Sequence, residues 1–266
     1  MLIQAIVAQF PVSQNIPENL AALQSVLAQA REGDLVLLPE GGLSGYSEEP
    51  GFLDRLDEAA LHNALEQLRR AAKQRAVHLW VGAYRKDQGR WYNAAWGFTP
   101  AGETHCYHKI NLATAERQDV TAGRDLPVFR LEFPQGEALI GVQLCRELRY
   151  PEQWGWLARR GAQVILHLNN ATGSDVEQPV WRSHLISRAA ETQRFVLSAN
   201  NAAARQKCPS LAVAPGGQVL GEIVSSEPAQ LRIELDLAQV SNWYLNQRRE
   251  DVVKMVDAHW LDEMDN

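Results

Sequence analysis

Cysteine is scarce in this sequence: three among 266 residues, at Cys106, Cys145 and Cys208. An odd, sparse set makes no disulfide framework and fits a reducing compartment, where a lone thiol is free to react. An excess of basic charge is also missing. The formal net charge is −6, whereas a nucleic-acid footprint needs Lys and Arg clustered on one face. The one basic run, Gln247-Arg248-Arg249, leads into Glu250 and Asp251 and reads as a local surface or interface ion-pair patch. No apolar run approaches the ~20 residues of a membrane helix. The opening Met1-Leu2-Ile3-Gln4-Ala5-Ile6-Val7 carries no basic leader, and its apolar run is too short for a signal peptide. We therefore expect a cytoplasmic protein. The histidines are scattered, without the spacing of a His-Glu-Xaa-Xaa-His site. His105 and His108 flank Cys106, but no second cluster completes a zinc site. We expect no cofactor and no metal.

Hydrophobic residues make up 45% and charged residues 22%, as in soluble enzymes with a large core. Apolar runs at Ile3–Gln9, Leu35–Leu38, Val77–Tyr84, Val164–Leu168 and Phe195–Ser198 predict buried strands. Further strands are expected at Trp91–Phe98, Thr104–Lys109, Val128–Phe133, Ala138–Leu144, Leu211–Ala214, Gly217–Ile223 and Ala229–Leu235. Helical spacing appears at Asn19–Ala30, Leu61–Gln74, Pro151–Arg160, Val180–Gln193 and Leu237–Leu245. Strands and helices alternate, with hairpins between them and no linker. The pattern calls for an α/β fold of two sheets, each covered by helices, in one domain over residues 1–266.

Three polar residues stand where an apolar strand has just ended. Glu40 follows Leu35-Val36-Leu37-Leu38-Pro39, Lys109 ends the strand from Thr104, and Cys145 follows Ala138 to Leu144. Carboxyl ends of strands line the ligand crevice of open α/β sheets, so the three can converge. Their chemistry is compatible. A nearby ammonium favours the thiolate, and a carboxylate can take the thiol proton and later return it to a leaving amine. The ammonium can also hold an oxyanion. Singly, each has a plainer reading: a helix N-terminal charge for Glu40, a solvated lysine for Lys109, core filler for Cys145.

The surrounding residues decide between these readings. Leu37-Leu38-Pro39-Glu40-Gly41-Gly42-Leu43-Ser44-Gly45-Tyr46 resembles the general-base segment of the nitrilase, or carbon–nitrogen hydrolase, superfamily. Tyr107-His108-Lys109-Ile110-Asn111-Leu112 is similar to its lysine segment, and Gln143-Leu144-Cys145-Arg146-Glu147-Leu148-Arg149-Tyr150-Pro151-Glu152 to its nucleophile elbow. Ile3 to Pro11, Arg188 to Gln193 and Ala214-Pro215-Gly216-Gly217 extend the resemblance over nearly the whole chain. It implies a four-layer αββα sandwich of two mixed sheets flanked by helices, commonly assembled as a homodimer or higher homo-oligomer. It also implies catalytic roles for Glu40, Lys109 and Cys145. Glu116, shortly after Lys109 and before Gly123, matches a second glutamate that positions the lysine and the substrate. The backbone N–H of Arg146 is implied as an oxyanion donor.

The elbow narrows the branch. True nitrilases carry Trp-Glu-Asn after the cysteine, where this chain has Arg146-Glu147-Leu148. The segment is nearest to the Cys-Tyr-Asp-Leu-Arg-Phe-Pro-Glu of Nit-type and omega-amidases, so a small linear amide is the expected substrate. Departures at Arg146, Glu147, Asn169-Asn170-Ala171 and Lys207 to Ser210 flank the family's pocket. Arg146, Arg149 and Asn170 are the candidate substrate-binding residues, the two arginines as forks for a carboxylate. For Arg149 an internal pair with Glu147 or Glu152 is the alternative. Trp154, Trp156 and Trp181 are expected to pack or rim the pocket, and Cys106 and Cys208 to be structural. Three alternatives stay open: an N-carbamoyl amidohydrolase, an isochorismatase-like Asp-Lys-Cys enzyme, and a silent nitrilase-like interaction module.

Overall fold

The computed structural model describes residues 1–173, 178–247 and 249. In chain order the elements are β1 (Leu2–Gln9), α1 (Ile16–Leu27), β2 (Leu35–Leu37), α2 (Glu58–Gln74), β3 (His78–Asp87), β4 (Arg90–Phe98) and β5 (Thr104–His108). The second half holds β6 (Val128–Phe133), β7 (Gly136–Leu144), α3 (Pro151–Arg159), β8 (Val164–Leu168), α4 (Gln178–Thr192) and β9 (Phe195–Ala199). It ends with β10 (Ser210–Val213), β11 (Val219–Ile223), β12 (Ala229–Asp236) and α5 (Trp243–Gln247).

Two six-stranded mixed sheets result, ordered β12-β1-β2-β3-β4-β5 and β11-β10-β9-β8-β7-β6. Each has a parallel centre, β1-β2-β3 in one and β7-β8-β9 in the other, with antiparallel pairs outside it. Strands buried on both faces need no polar alternation, which is why their sequences read as unbroken apolar runs. In β1, Ile3, Ala5 and Val7 enter the core between the sheets, while Ile6 and Ala8 pack toward α1 and α2. In β8, Val164, Leu166 and Leu168 face inward and Ile165 packs toward α3 and α4. Three apolar slabs thus separate four layers in the order α, β, β, α.

Helices α1 and α2 begin earlier than periodicity alone predicts, because their caps lie upstream of the first apolar repeat. Asn15 accepts from the Glu18 N–H at 3.1 Å, and Asp57 accepts from the Ala60 N–H at 2.9 Å. The expected helix from Leu237 to Leu245 is two pieces, a short 3-10 turn at Leu237–Gln239 and α5. Val240 is extended, with φ −69° and ψ 132°, and Ser241 Oγ starts α5 by accepting from the Trp243 N–H at 3.0 Å. The expected ion-pair patch at Arg248, Glu250 and Asp251 lies outside the described residues. Among the described residues no helix is long and apolar enough to cross a membrane.

Candidate active site

Three strand ends and one turn bring the chemical groups together. β5 is antiparallel to β4, which is antiparallel to β3, so β5 runs in the direction of β2 and β3. Its end therefore lies on the same side of the sheet as the end of β2. Glu40 follows β2 and Lys109 follows β5. Across the interface the second sheet meets them: the Glu40 N–H donates to Asn169 O at 3.2 Å, just beyond β8.

Glu40 and Lys109 are both fully buried. Lys109 Nζ donates to Glu40 Oε1 at 2.8 Å and to Glu116 Oε2 at 2.8 Å. Glu116, on the 3-10 turn Ala115–Gln118, also accepts from the Ala113 N–H at 2.6 Å. Asn93 of β4 joins the same two carboxylates, its Nδ2 lying 2.8 Å from Glu40 Oε1 and 2.6 Å from Glu116 Oε1. Glu40 Oε2 is buried and has no hydrogen-bond partner among the described residues.

Cys145 sits where β7 gives way to a 3-10 turn, and its φ of +44° is a left-handed value rare for a side chain with a β-carbon. The surroundings hold it there. His167 Nε2–H donates to Cys145 O at 2.9 Å, leaving Nδ1 to accept the Ser198 hydroxyl at 2.8 Å. Burial brings His167 down to about 4, so the ring is neutral. Glu147, fully buried, accepts from the Leu144 N–H at 2.8 Å, the Ile110 N–H at 2.8 Å, the Asn111 N–H at 3.1 Å and the Tyr107 hydroxyl at 2.8 Å. One carboxylate thus ties the elbow of Cys145 to the turn that follows Lys109.

The electrostatics follow from burial and from one cation among acids. Burial pushes the Glu40 carboxyl up, the Lys109 ammonium draws it back, and Glu116 adds to the rise. Burial pushes the Cys145 thiol well up and the Glu40 charge adds to it, opposed by Lys109 and by the Asn170 backbone N–H. Burial would lower Lys109, but Glu40, Cys145 and Glu116 outweigh it and hold the ammonium firmly protonated. The neutral thiol rests beside an array of two glutamates bridged by one ammonium. That array suits proton transfer followed by attack on a carbonyl. Among the described residues no group of three or more His, Cys, Asp or Glu is placed to hold a metal ion.

The profile of the family described as carbon–nitrogen hydrolase matches residues 4–244. The chain belongs to the carbon–nitrogen hydrolase family. An (R)-stereoselective amidase from Pseudomonas sp. is 31% identical over 223 residues, covering 82% of this chain and 78% of its own. A 2-oxoglutaramate amidase from Bacillus subtilis (strain 168) is 28% identical over 250 residues, covering 87% and 90%. The fold matches a mutant amidase from Nesterenkonia sp. AN1 in complex with butyramide, with TM-score 0.78 and 23% identity over 93% of this chain and 94% of that one.

In this carbon–nitrogen hydrolase the remaining candidates are placed differently. Arg146 and Arg149 are exposed. The Arg149 guanidinium lies 5.4 Å from the centre of the Trp181 ring. Glu147, one alternative partner for Arg149, is occupied by backbone and tyrosine donors. Asn170 is half-buried: its Nδ2 donates to Glu40 O at 3.1 Å, its Oδ1 accepts from Asn201 at 3.0 Å, and its backbone N–H faces the Cys145 sulfur. Trp154 packs in the core and donates to Glu147 O at 3.0 Å, Trp181 is buried, and Trp156 is exposed. Burial pushes the thiols of Cys106 and Cys208 up, to about 11 and about 12. Sequence reasoning missed Asn93 and His167. An asparagine inside the apolar run of β4 was the available signal for Asn93, since that residue fits strands poorly.

Proposed function

We propose that this chain hydrolyses a small linear amide to a carboxylate and ammonia or an amine through a Cys145 thioester. One observation carries the reading: Glu40 holds Oε1 against Lys109 and Asn93 while its buried Oε2 has no partner among the described residues. A carboxylate oxygen without a donor, in a site shared with a neutral thiol, suits a general base.

Glu40 takes the proton of Cys145, and the sulfur attacks the amide carbon as the carbonyl π pair moves to oxygen. Lys109 and the Arg146 backbone N–H stabilise that oxyanion. Glu40 then returns the proton to the departing nitrogen as the C–N bond breaks, which leaves the thioester. A water loses a proton to Glu40 and attacks the thioester; the C–S bond breaks, and the thiolate is reprotonated. Glu116 positions Lys109 and the substrate. Arg146, Arg149 and Asn170 are the proposed substrate contacts, the arginines for a carboxylate and the Asn170 backbone beside the sulfur. The 2-oxoglutaramate amidase relative supports including ω-amides of dicarboxylates among the substrates. We further propose a cytoplasmic homodimer.

Ammonia release is measured across small neutral amides, ω-amides of dicarboxylates and N-carbamoyl compounds, with Cys145→Ala as control. The reading requires release by the parent protein and none by the variant, both with unchanged circular dichroism. Equal release from the two proteins would overturn it. No release from any compound would favour a silent interaction module.

A further inference from the structure

Asn93 is almost fully buried on β4, and its placement is fixed before its side chain acts. The β4–β5 register pairs Ala94 with His108, and the Lys109 N–H donates to Asn93 O at 2.9 Å. The side chain then carries two hydrogens on one nitrogen, one directed to Glu40 Oε1 and one to Glu116 Oε1. Lys109 spans the same pair through Glu40 Oε1 and Glu116 Oε2. Glu40, Lys109, Glu116 and Asn93 therefore close a ring, with one neutral amide opposite one ammonium. The reversed amide would aim its oxygen at two acceptors, so the orientation is determined by its partners.

The ring treats the two oxygens of Glu40 unequally. Both donors converge on Oε1, and Oε2 receives none from the described residues. A carboxylate pinned at one oxygen by two donors, one on β4 and one just beyond β5, is restrained against rotation about its last bond.

We infer that Asn93 is a positioning residue of the reaction: by clamping Oε1 of Glu40 to Glu116 it presents Oε2 to the thiol of Cys145. The inference rests on the proposed role of Glu40 as base. Asn93 acts through Glu40 and touches no reacting atom. Its amide also favours the ionised carboxylate, alongside Lys109 and against burial and Glu116. The other titratable groups within electrostatic reach are Cys145 and the phenols of Tyr46 and Tyr84, both phenols held protonated by burial. Removing the amide leaves Glu40 to be protonated at higher pH.

The test uses full-length Asn93→Leu, which has no donor, and Asn93→Ser, which has one. Alkylation of Cys145 by iodoacetamide is followed against pH by mass spectrometry, beside the pH profile of kcat/KM. The pH midpoint of alkylation is expected to rise by about one unit in Asn93→Leu, the size of one charge-assisted hydrogen bond, and by less in Asn93→Ser. kcat is expected to fall ~10²-fold in Asn93→Leu with KM little changed. An unchanged midpoint in a folded variant overturns the inference, and so does a loss of kcat without movement of the acid limb. Should Asn93→Leu fail to fold, the smaller serine variant decides alone. Because alkylation needs no substrate, a shifted midpoint in a protein that hydrolyses no amide supports the positioning role even as the proposed reaction fails.

Discussion

A β-carbon added to Gly82 would overlap the Glu40 Cα and lie 2.8 Å from its carbonyl carbon. The two backbones are that close because the Gly82 N–H donates to Pro39 O at 3.0 Å and Gly82 O accepts from the Leu43 N–H at 3.0 Å. β3 thus grips the turn that carries Glu40, and only hydrogen fits at the contact. Gly82→Ala is expected to push Glu40 away from Lys109. A misplacement of this order costs ~10²-fold in rate. Steady-state kinetics checks it; wild-type kcat in the variant would show that the turn is not held by this contact.

The pH dependence follows from the direction in which Glu40 is moved. As the proposed base, Glu40 must be ionised, and burial raises the pH at which it becomes so. Activity is therefore lost, as pH falls, above the ordinary carboxylate range of about 4. Lys109 is held charged, so its titration does not limit the neutral range. The acid limb of kcat/KM follows the ionisation of Glu40 beside Lys109. Measurement from pH 4 to pH 9 checks this, and a limb at or below about 4 contradicts it. Glu40→Gln is expected to remove the activity, and the limb with it.

What could be read from the sequence, and what could not, divides along a physical line. β1 and β8 were legible because burial on both faces leaves an unbroken apolar run. Glu40, Lys109 and Cys145 stood out because each ends such a run, and the resemblance of their segments gave the pattern a chemistry. Asn93 and Glu147 act through register. Asn93 reaches Glu40, 53 positions away, only because β4 pairs with β3 and β3 with β2, and Glu147 reaches Tyr107, 40 positions away, across the two sheets. Neither distance leaves a local periodicity. The start of α2 was misjudged because its Asp57 cap precedes the apolar repeat. The last helix was over-extended because Val240 is apolar in sequence yet extended in the backbone.

Glu147 gives a stability prediction with a definite sign. Burial raises it from 4.5 to about 6. The folded state therefore holds this proton more tightly than the unfolded chain. Its contribution to stability is complete below about pH 4.5 and is lost as pH rises through about 6. Glu147→Gln is expected to flatten that part of the stability profile. It also turns an amide NH2 toward donors that need an acceptor, at a cost of about 1–3 kcal/mol. Urea unfolding of both proteins between pH 4 and pH 7 measures the two effects. Equal slopes for the two proteins would refute the assignment.

Lys109 separates chemistry from stability. Lys109→Met keeps the length of the side chain and removes the single cation between two buried carboxylates. Leaving charge uncompensated in such a site costs about 3–5 kcal/mol, unless the acids take up protons. The variant is expected to be inactive, less stable at neutral pH, and to recover stability as pH falls. Adding Glu116→Gln should restore part of the neutral-pH stability without restoring turnover. Melting temperatures of the single and double variants across pH check this; additive losses would mean that Lys109 and Glu116 are not coupled.

The two arginines that follow Cys145 are both proposed to meet a carboxylate, and they differ in how they pack. Arg149 stacks on Trp181, so Arg149→Ala is expected to lower stability by about 0.5–1 kcal/mol, the size of an exposed cation–π contact. Arg146 is exposed and adjoins Cys145 in the chain, where its guanidinium can meet a carboxylate at the far end of a short substrate. Arg146→Ala is expected to reduce kcat/KM for an ω-amide of a dicarboxylate by about tenfold or more, through loss of charge-assisted hydrogen bonds. A neutral amide of equal length should be nearly unaffected, because it gives the guanidinium no anion to bind. The ratio of the two kcat/KM values isolates this contact from any general disturbance of the elbow. A ratio unchanged from the parent protein would remove Arg146 from substrate recognition, leaving only its backbone N–H in the proposed oxyanion site.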